Sequence, residues 1–364
     1  MLAVSVIIPA YNASRYLEEC LDSFGKQTLK NMEAIVIDDG STDNTWDICC
    51  QKSIEFPHIK CHHIKHSGVA CAQETGLRFA EGEYIGFCGS DDYVAPQMYE
   101  KLYYEAKLRD ADIVECQCCR FWSNGKKIKN DSQKYIYRLK RNNYNLKHSG
   151  AEEIITSIGY AWRIHKRSMI DKYNLNFSSK ASNAEDYPWN ICAPCLAKHF
   201  SVIDYCGYYY RQHEEKNHSL SRMYFNNSDN FIKVFNQTDM IMQQSGYRDR
   251  IPFITLNEIR VIFFTISFRV LEENQVNFMQ SVSKRWQKKK LTLYIFSFFW
   301  YFIRSHNFHK IDIVSLIINI KYILWAKNIA TFGYSTVRHR KTQEQISFWM
   351  SGNVLKKILK KNNI

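Results

Sequence analysis

Apolar residues over the first hundred positions alternate between two periods. Val4-Ser5-Val6-Ile7-Ile8 is a β-branched run closed by Pro9-Ala10-Tyr11-Asn12, which predicts a strand. From Arg15 to Phe24 the apolar positions are Tyr16, Leu17, Cys20, Leu21 and Phe24, which predicts a helix. Ala34 to Ile37 predicts the next strand, and Asp43 stands where it can cap the helix that follows through Trp46, Ile48 and Cys49. Ile59 to Ile64, Val69 to Ala80 and Tyr84 to Cys88 repeat the series as strand, helix and strand. Continuous apolar strands alternating with helices predict an α/β fold. Its sheet should be mostly parallel and flanked by helices, with ligands at the carboxyl ends of the strands.

Beyond Pro96 the pattern predicts a helix over 97–109, a strand through Ile113 to Cys119, and a polar, basic loop or lid over 126–148. Ala161 to Ile170 and Asp186 to Lys198 return to helical or core-like spacing, and Ser201 to Arg211 predicts a Tyr-rich strand. From about Phe225 turn signals thin out and helical segments dominate. The expected division is therefore a 1–225 α/β domain, with halves at about 1–110 and 111–225, and a mostly helical 226–364 region.

Charge sharpens that division. Residues 281–364 hold 16 Lys and Arg against Asp312 and Glu344, a net +14, whereas residues 1–280 hold 33 basic and 34 acidic side chains. The basic residues alternate with apolar blocks, which suits an anionic membrane surface better than nucleic acid. Leu291 to Ile303 is a 13-residue apolar run, short of the about 20 a spanning helix needs. Gln345 to Lys361 has the pattern of a basic amphipathic helix lying in an interface. A helical core or a homo-oligomer contact is the competing use of these segments. The start of the chain reads as a core strand rather than a secretory leader, so a cytoplasmic protein, peripheral at the inner face of the membrane, is expected. The 12 Cys lack the spacing of a small secreted scaffold and are expected to be reduced core thiols, the Cys116/Cys119 and Cys192/Cys195 spacings included.

Two strand ends carry paired carboxylates: Asp38-Asp39 before Gly40-Ser41-Thr42-Asp43, and Asp91-Asp92 after Gly89-Ser90. A carboxylate at the end of a buried strand can meet a divalent metal and a phosphate group. Asp38 and Asp43 suit turn and cap roles. A further pair, Glu185-Asp186, precedes a predicted helix and could hold a general base or a helix cap.

With Val4 to Asn12, Asp38 to Asp43, Gly82-Glu83-Tyr84-Ile85 and Ser90-Asp91-Asp92 in that order, the chain resembles the family-two inverting glycosyltransferases. The match is close over about residues 3–110 and looser through Ala161-Trp162 and Glu185-Asp186 to Tyr210-Arg211. The resemblance implies a GT-A-like, Rossmann-related sheet and a nucleotide-sugar donor. Pro9, Ala10 and Tyr11 would border the base, and Asp39 would take a ring N–H or the ribose. Ser90, Asp91, Arg211 and His218 would lie on the donor side, with Asp91 the ligand of Mg²⁺ or Mn²⁺. Asp186, with Glu185 beside it, would take the proton of the acceptor hydroxyl.

Two departures stand out. Gly89 occupies a position where relatives commonly carry an acid, and Gln73-Glu74 one where they usually carry Arg-Asn. The second removes a cation from the donor side, for which His66, Arg211, His213 and His218 are the candidate replacements. The expected activity is inverting hexosyl or N-acetylhexosaminyl transfer, from a UDP-sugar to a hydroxyl of a glycan or lipid-linked acceptor in cell-surface polysaccharide assembly. The alternative is a non-catalytic glycan- or nucleotide-binding partner of an active transferase.

Overall fold

The computed structural model describes residues 2–122, 127–129, 144–145, 159–178, 185–213 and 229–246, with single positions 258, 282 and 285 beyond them. It forms two compact units, 1–248 and 249–364. The first unit is an α/β domain. Its elements in order are β1 (Val4–Ala10), α1 (Leu17–Gly25), β2 (Met32–Asp38), α2 (Thr45–Glu55), β3 (Ile59–His63), α3 (Val69–Phe79), β4 (Tyr84–Phe87) and β5 (Tyr93–Val94). There follow α4 (Met98–Arg109), β6 (Ile113–Trp122), β7 (Lys127–Lys129), β8 (Tyr144–Asn145), β9 (Arg163–Lys166) and α5 (Arg167–Tyr173). The last are α6 (Tyr187–Leu196), β10 (His199–Gln212) and α7 (Asp229–Gln244).

One sheet runs β3-β2-β1-β4-β9-β6-β10-β5, with β7 on β6 and β8 on β10. Strands β3, β2, β1 and β4 are parallel, as the apolar runs of β1, β2 and β4 predict. Beyond them the sheet is mixed rather than mostly parallel: β9 runs antiparallel to both β4 and β6, while β6 and β10 are parallel to each other. Strand β9 lies where the spacing around Ala161 to Ile170 reads as helical or core-like. Its Arg163 sits opposite Glu115 of β6, and Arg163 Nε donates to Glu115 Oε2 at 2.6 Å with both side chains buried. Removing either partner of such a pair strands a buried charge, at about 3–5 kcal/mol. The pair therefore fixes which strand fills the gap between β4 and β6.

Helix α3 lies close on the sheet because its contact face is small. A Cβ on Gly76 would stand 2.4 Å from Ile7 Cγ2. On the other side Phe24, Tyr84 and Tyr99 are among the residues of a continuous apolar core, each worth roughly 1.5–3 kcal/mol of burial.

Helix α7 packs on α6 and lies within the first unit. Two expectations change. Cys119 of β6 and Cys206 of β10 form a disulfide across neighbouring strands, with Cα atoms 6.3 Å apart, where only thiols were expected. The basic segment 126–148 contains the short strands β7 and β8. In the second unit, Arg285 makes a forked ion pair to Glu258, Nε to Oε1 at 2.9 Å and a terminal nitrogen to Oε2 at 3.0 Å. The apolar run 291–303 and the amphipathic segment 345–361 lie outside the described residues, and among those described no helix is long and apolar enough to cross a membrane.

Candidate active site

The carboxyl ends of β1, β2 and β4 are built from short polar turns. Asp38 is buried and organises one of them: it accepts from Ser41 N–H and Ser41 Oγ, and His63 Nδ1 lies 2.6 Å from its Oδ2. Asp43 accepts from the N–H and hydroxyl of Thr45 and from Ser14 N–H. Burial alone would raise its pKa, but these bonds favour the charged form and bring it down to about 2. Both residues are turn formers, as their positions predict.

Asp39, only 2% exposed, is tied to the loop that leads into α3. Its carboxylate accepts Ser67 N–H at 2.7 Å and Gly68 N–H at 2.8 Å, and His66 Nδ1 is 2.9 Å away. The His66 ring stacks on Tyr11, with centroids 4.2 Å apart, and Tyr11 is 47% exposed beyond the end of β1 at Pro9-Ala10. A flat aromatic pair thus borders the mouth of the β1/β2 crevice, with Asp39 holding the His66 side in place.

At the end of β4, residues 89–92 turn back toward β10. Tyr208 Oη accepts Gly89 N–H at 3.1 Å and donates to Asp92 Oδ2 at 2.5 Å, and Arg211 N–H donates to Asp92 Oδ1 at 2.7 Å. Burial, and then the charge of Asp91, push the Asp92 carboxyl well above its usual range, while those two hydrogen bonds oppose the shift. Asp92 is therefore a buried tie between β4 and β10, not the cap of α4 that its place before Pro96 allows. The Arg211 guanidinium is also committed: it donates to Asp91 O at 2.7 Å, pairs with Glu19, and lies between the rings of Tyr16 and Phe121.

Asp91 itself points outward, its side chain 39% exposed, and His213 Nε2 lies 2.7 Å from its Oδ2. One hard oxygen and one imidazole nitrogen meet there, a donor set that suits a six-coordinate Mg²⁺ or Mn²⁺ whose other positions are taken by phosphate and water. Among the described residues no group of three or more His, Cys, Asp and Glu converges, so the described residues would supply these two donors. Gly89 fits the same picture. A Cβ there would stand 2.9 Å from both Asp91 Oδ1 and Asp92 Oδ2, so a third acid would crowd two carboxylates. Sequence reading placed His213 only among several candidate cations, and its position straight after β10 was the one signal available. His218 lies outside the described residues.

The second carboxylate pair opens α6. Asp186 occupies the N-cap position without a side-chain cap bond, and Asn190 Nδ2 donates to its Oδ2 at 2.9 Å instead. Burial first, and the neighbouring Asp186 charge second, raise Glu185 to about 8. Phe87, Tyr160, Phe177 and Trp189, the last in the first turn of α6, form one aromatic cluster, with Phe177 and Trp189 stacked at 4.8 Å. The buried Tyr160 hydroxyl feels the charges of Asp186, Glu185 and Asp92 together. Gln73 is fully buried and donates to Tyr160 Oη at 2.6 Å, so the side chain at this position runs into the protein interior. Glu74 has its carboxyl raised by burial.

A parallel half-sheet in the order 3-2-1-4 with carboxylates at its strand ends, extended by a mixed half that brings a second acid pair, defines the GT-A class of fold. Residues 5–171 match the family model described as Glycosyl transferase family 2. The glycosyltransferase EpsJ of Bacillus subtilis, itself uncharacterized, is 33% identical over 216 residues, which is 57% of this chain and 61% of EpsJ. The hyaluronan synthase of Pasteurella multocida is 29% identical over 74% of this chain and 26% of its own length. The chain thus spans less than two thirds of these relatives. Among solved structures, S. aureus TarS 1-349 in complex with UDP superposes with a TM-score of 0.62 at 22% identity, covering 79% of this chain and 80% of that one. The same fragment in complex with UDP-GlcNAc gives 0.64 at 21% identity.

Proposed function

We propose that the chain transfers a sugar from a nucleotide donor, most simply a UDP-sugar, to a hydroxyl of a glycan or lipid-linked acceptor with inversion. The observation that carries this reading is the meeting of Asp91 and His213 just past the ends of β4 and β10, in a domain whose helix α6 opens on the acid pair Glu185-Asp186. The UDP and UDP-GlcNAc complexes of TarS support the choice of donor.

Pro9, Ala10 and Tyr11 border the base, with Asp39 fixing the loop opposite, and Ser90 and Asp91 face the diphosphate. Asp91 and His213 would hold Mg²⁺ or Mn²⁺, which when bound neutralises the charge that gathers on the departing diphosphate. In a single displacement the acceptor oxygen bonds to the anomeric carbon as the bond from that carbon to the diphosphate oxygen breaks. The proton of the acceptor hydroxyl passes to the Asp186 carboxylate. Asn190 orients that carboxylate, and Glu185, raised to about 8 by burial and by the Asp186 charge, lies beside it. Arg211 contributes by holding the 89–92 turn on β10.

The test is hydrolysis and transfer over a panel of nucleotide sugars with and without Mn²⁺, in the natural protein and in Asp186→Asn. Loss of a general base should lower turnover by about 10²-fold or more with donor affinity little changed. Tight UDP binding with no turnover on any donor or acceptor would favour the non-catalytic binding partner instead.

A further inference from the structure

The turn that carries Asp91 is held on both sides of that residue by one buried hydroxyl. We propose that Tyr208 is a positioning residue that sets the spacing of Asp91 and His213, and so makes their site prefer the small cations Mg²⁺ and Mn²⁺ to Ca²⁺. This rests on the reading of Asp91 and His213 as the metal donors.

Tyr208 Oη accepts Gly89 N–H at 3.1 Å and donates to Asp92 Oδ2 at 2.5 Å, so it grips the chain before and after Asp91. The directions follow from the groups, because a backbone N–H only donates and leaves the hydroxyl proton for the carboxylate. Two further bonds come from the same strand: Arg211 N–H reaches Asp92 Oδ1 at 2.7 Å, and Arg211 Nε reaches Asp91 O at 2.7 Å. Strand β10 thus fastens the turn through residues 208 and 211, and His213 follows two positions later. Tyr208 has no room to shift. It is 1% exposed, its backbone is paired with Val94 of β5 on one side and Cys118 of β6 on the other, and its ring meets that of Trp162 with centroids 6.1 Å apart.

What the clamp fixes is a distance. Asp91 Oδ2 and His213 Nε2 are 2.7 Å apart. Neighbouring ligands of an octahedron stand about 2.9 Å apart when each bond is about 2.0–2.1 Å, as for Mg²⁺, and about 3.3–3.7 Å apart when each is about 2.3–2.6 Å, as for Ca²⁺. The spacing lies beside the first range and well short of the second. A loose turn could open to take either ion, whereas a turn gripped at Gly89 and Asp92 reaches the smaller one with far less displacement.

The test is calorimetric titration of UDP into the full-length protein with Mg²⁺, Mn²⁺ or Ca²⁺ supplied over a range of concentrations. In Tyr208→Phe, which deletes only the hydroxyl, Mg²⁺ affinity should fall about 10–100-fold, the usual cost of losing a group that orients a metal ligand, and Ca²⁺ affinity should fall less. The preference for the small cations therefore narrows. Tyr99→Phe is the control for a loosened core, since Tyr99 shares that core and its hydroxyl has no hydrogen-bond partner among the described residues. It should leave the preference unchanged. Should Tyr208→Phe fail to fold, Asp92→Asn carries the test. The oxygen of its amide must face Arg211 N–H, which turns the amide nitrogen toward Tyr208 and takes the acceptor from the hydroxyl proton, so the preference should narrow there too. Equal losses for all three cations, no loss at all, or the same narrowing in Tyr99→Phe would reduce Tyr208 to a core residue and overturn the proposal. UDP binding that keeps its cation dependence in Asp91→Asn would instead remove the reading of the metal donors beneath it.

Discussion

His213 Nε2 lies 2.7 Å from Asp91 Oδ2, although the two residues are 122 positions apart. Two built features bring them together. Asp91 is placed by a turn whose buried member, Asp92, is tied to Tyr208 and to the Arg211 backbone, and His213 leaves the sheet two residues after that backbone contact. The two donors therefore move as one unit. Asp91→Asn should abolish the Mn²⁺ dependence of UDP binding, and His213→Ala should weaken Mn²⁺ affinity by at least the about 10–100-fold that loss of a supporting partner costs. Calorimetric titration of UDP at fixed Mn²⁺ concentrations measures both. UDP binding that depends on Mn²⁺ equally in all three proteins would remove the assignment.

Arg211 tests the difference between a donor contact and a scaffold. Its guanidinium lies between Tyr16 and Phe121 and is bonded to Asp91 O and Glu19. Desolvated stacking of this kind is worth about 2 kcal/mol, and lysine has neither the planar fork nor the same stacking surface. Arg211→Lys should lower the urea midpoint, and UDP affinity should fall with it because the 89–92 turn loosens. Unchanged stability combined with weaker UDP binding would return Arg211 to the diphosphate.

The parallel half of the sheet was legible because β1, β2 and β4 are buried on both faces and their sequences say so without interruption. The acidic pairs Asp38-Asp39 and Asp91-Asp92 were legible at the ends of those strands for the same reason. What the two members of each pair do was less so. Asp92 and the backbone of Arg211 meet in a tie between β4 and β10 that only the tertiary structure shows. Strand β9 escaped detection because a four-residue strand containing Arg163 and His165 has no apolar period, and its burial depends on Glu115, 48 residues away. The Gln73 to Tyr160 bond spans 87 residues, a distance over which local pattern carries no information.

Glu185 should leave a mark on folding stability. Its carboxyl is raised to about 8 in the folded protein from an unfolded value near 4.5. Between those values the folded state keeps a proton that the unfolded chain has released, so stability falls as pH rises through that window. The contribution is fully present below the unfolded value. Glu185→Gln removes the titration, and its urea midpoint should decline less between pH 5 and 8 than that of the natural protein. Parallel declines in the two proteins would show that Glu185 titrates normally.

The final prediction concerns the C-terminal quarter, where a net +14 over residues 281–364 stands against 33 basic and 34 acidic residues in the rest of the chain. A Lys or Arg near an anionic bilayer contributes about 1 kcal/mol, so four engaged side chains would supply on the order of 4 kcal/mol, before any burial of Phe348 or Trp349. Exposed charges are screened beyond about 10 Å at 0.1 M salt, so the attraction must weaken as salt rises. The full-length protein should sediment with phosphatidylserine vesicles at low salt, remain in the supernatant with neutral vesicles, and be released by added salt. Changing Lys356, Lys357, Lys360 and Lys361 to Gln should reduce the bound fraction without altering UDP binding, since these residues lie far along the chain from the donor motifs. Binding that is equal on neutral and anionic vesicles, or absent from both, would assign the basic segments to a protein contact or a second subunit, because a protein held to a membrane by charge cannot ignore the sign of its lipids.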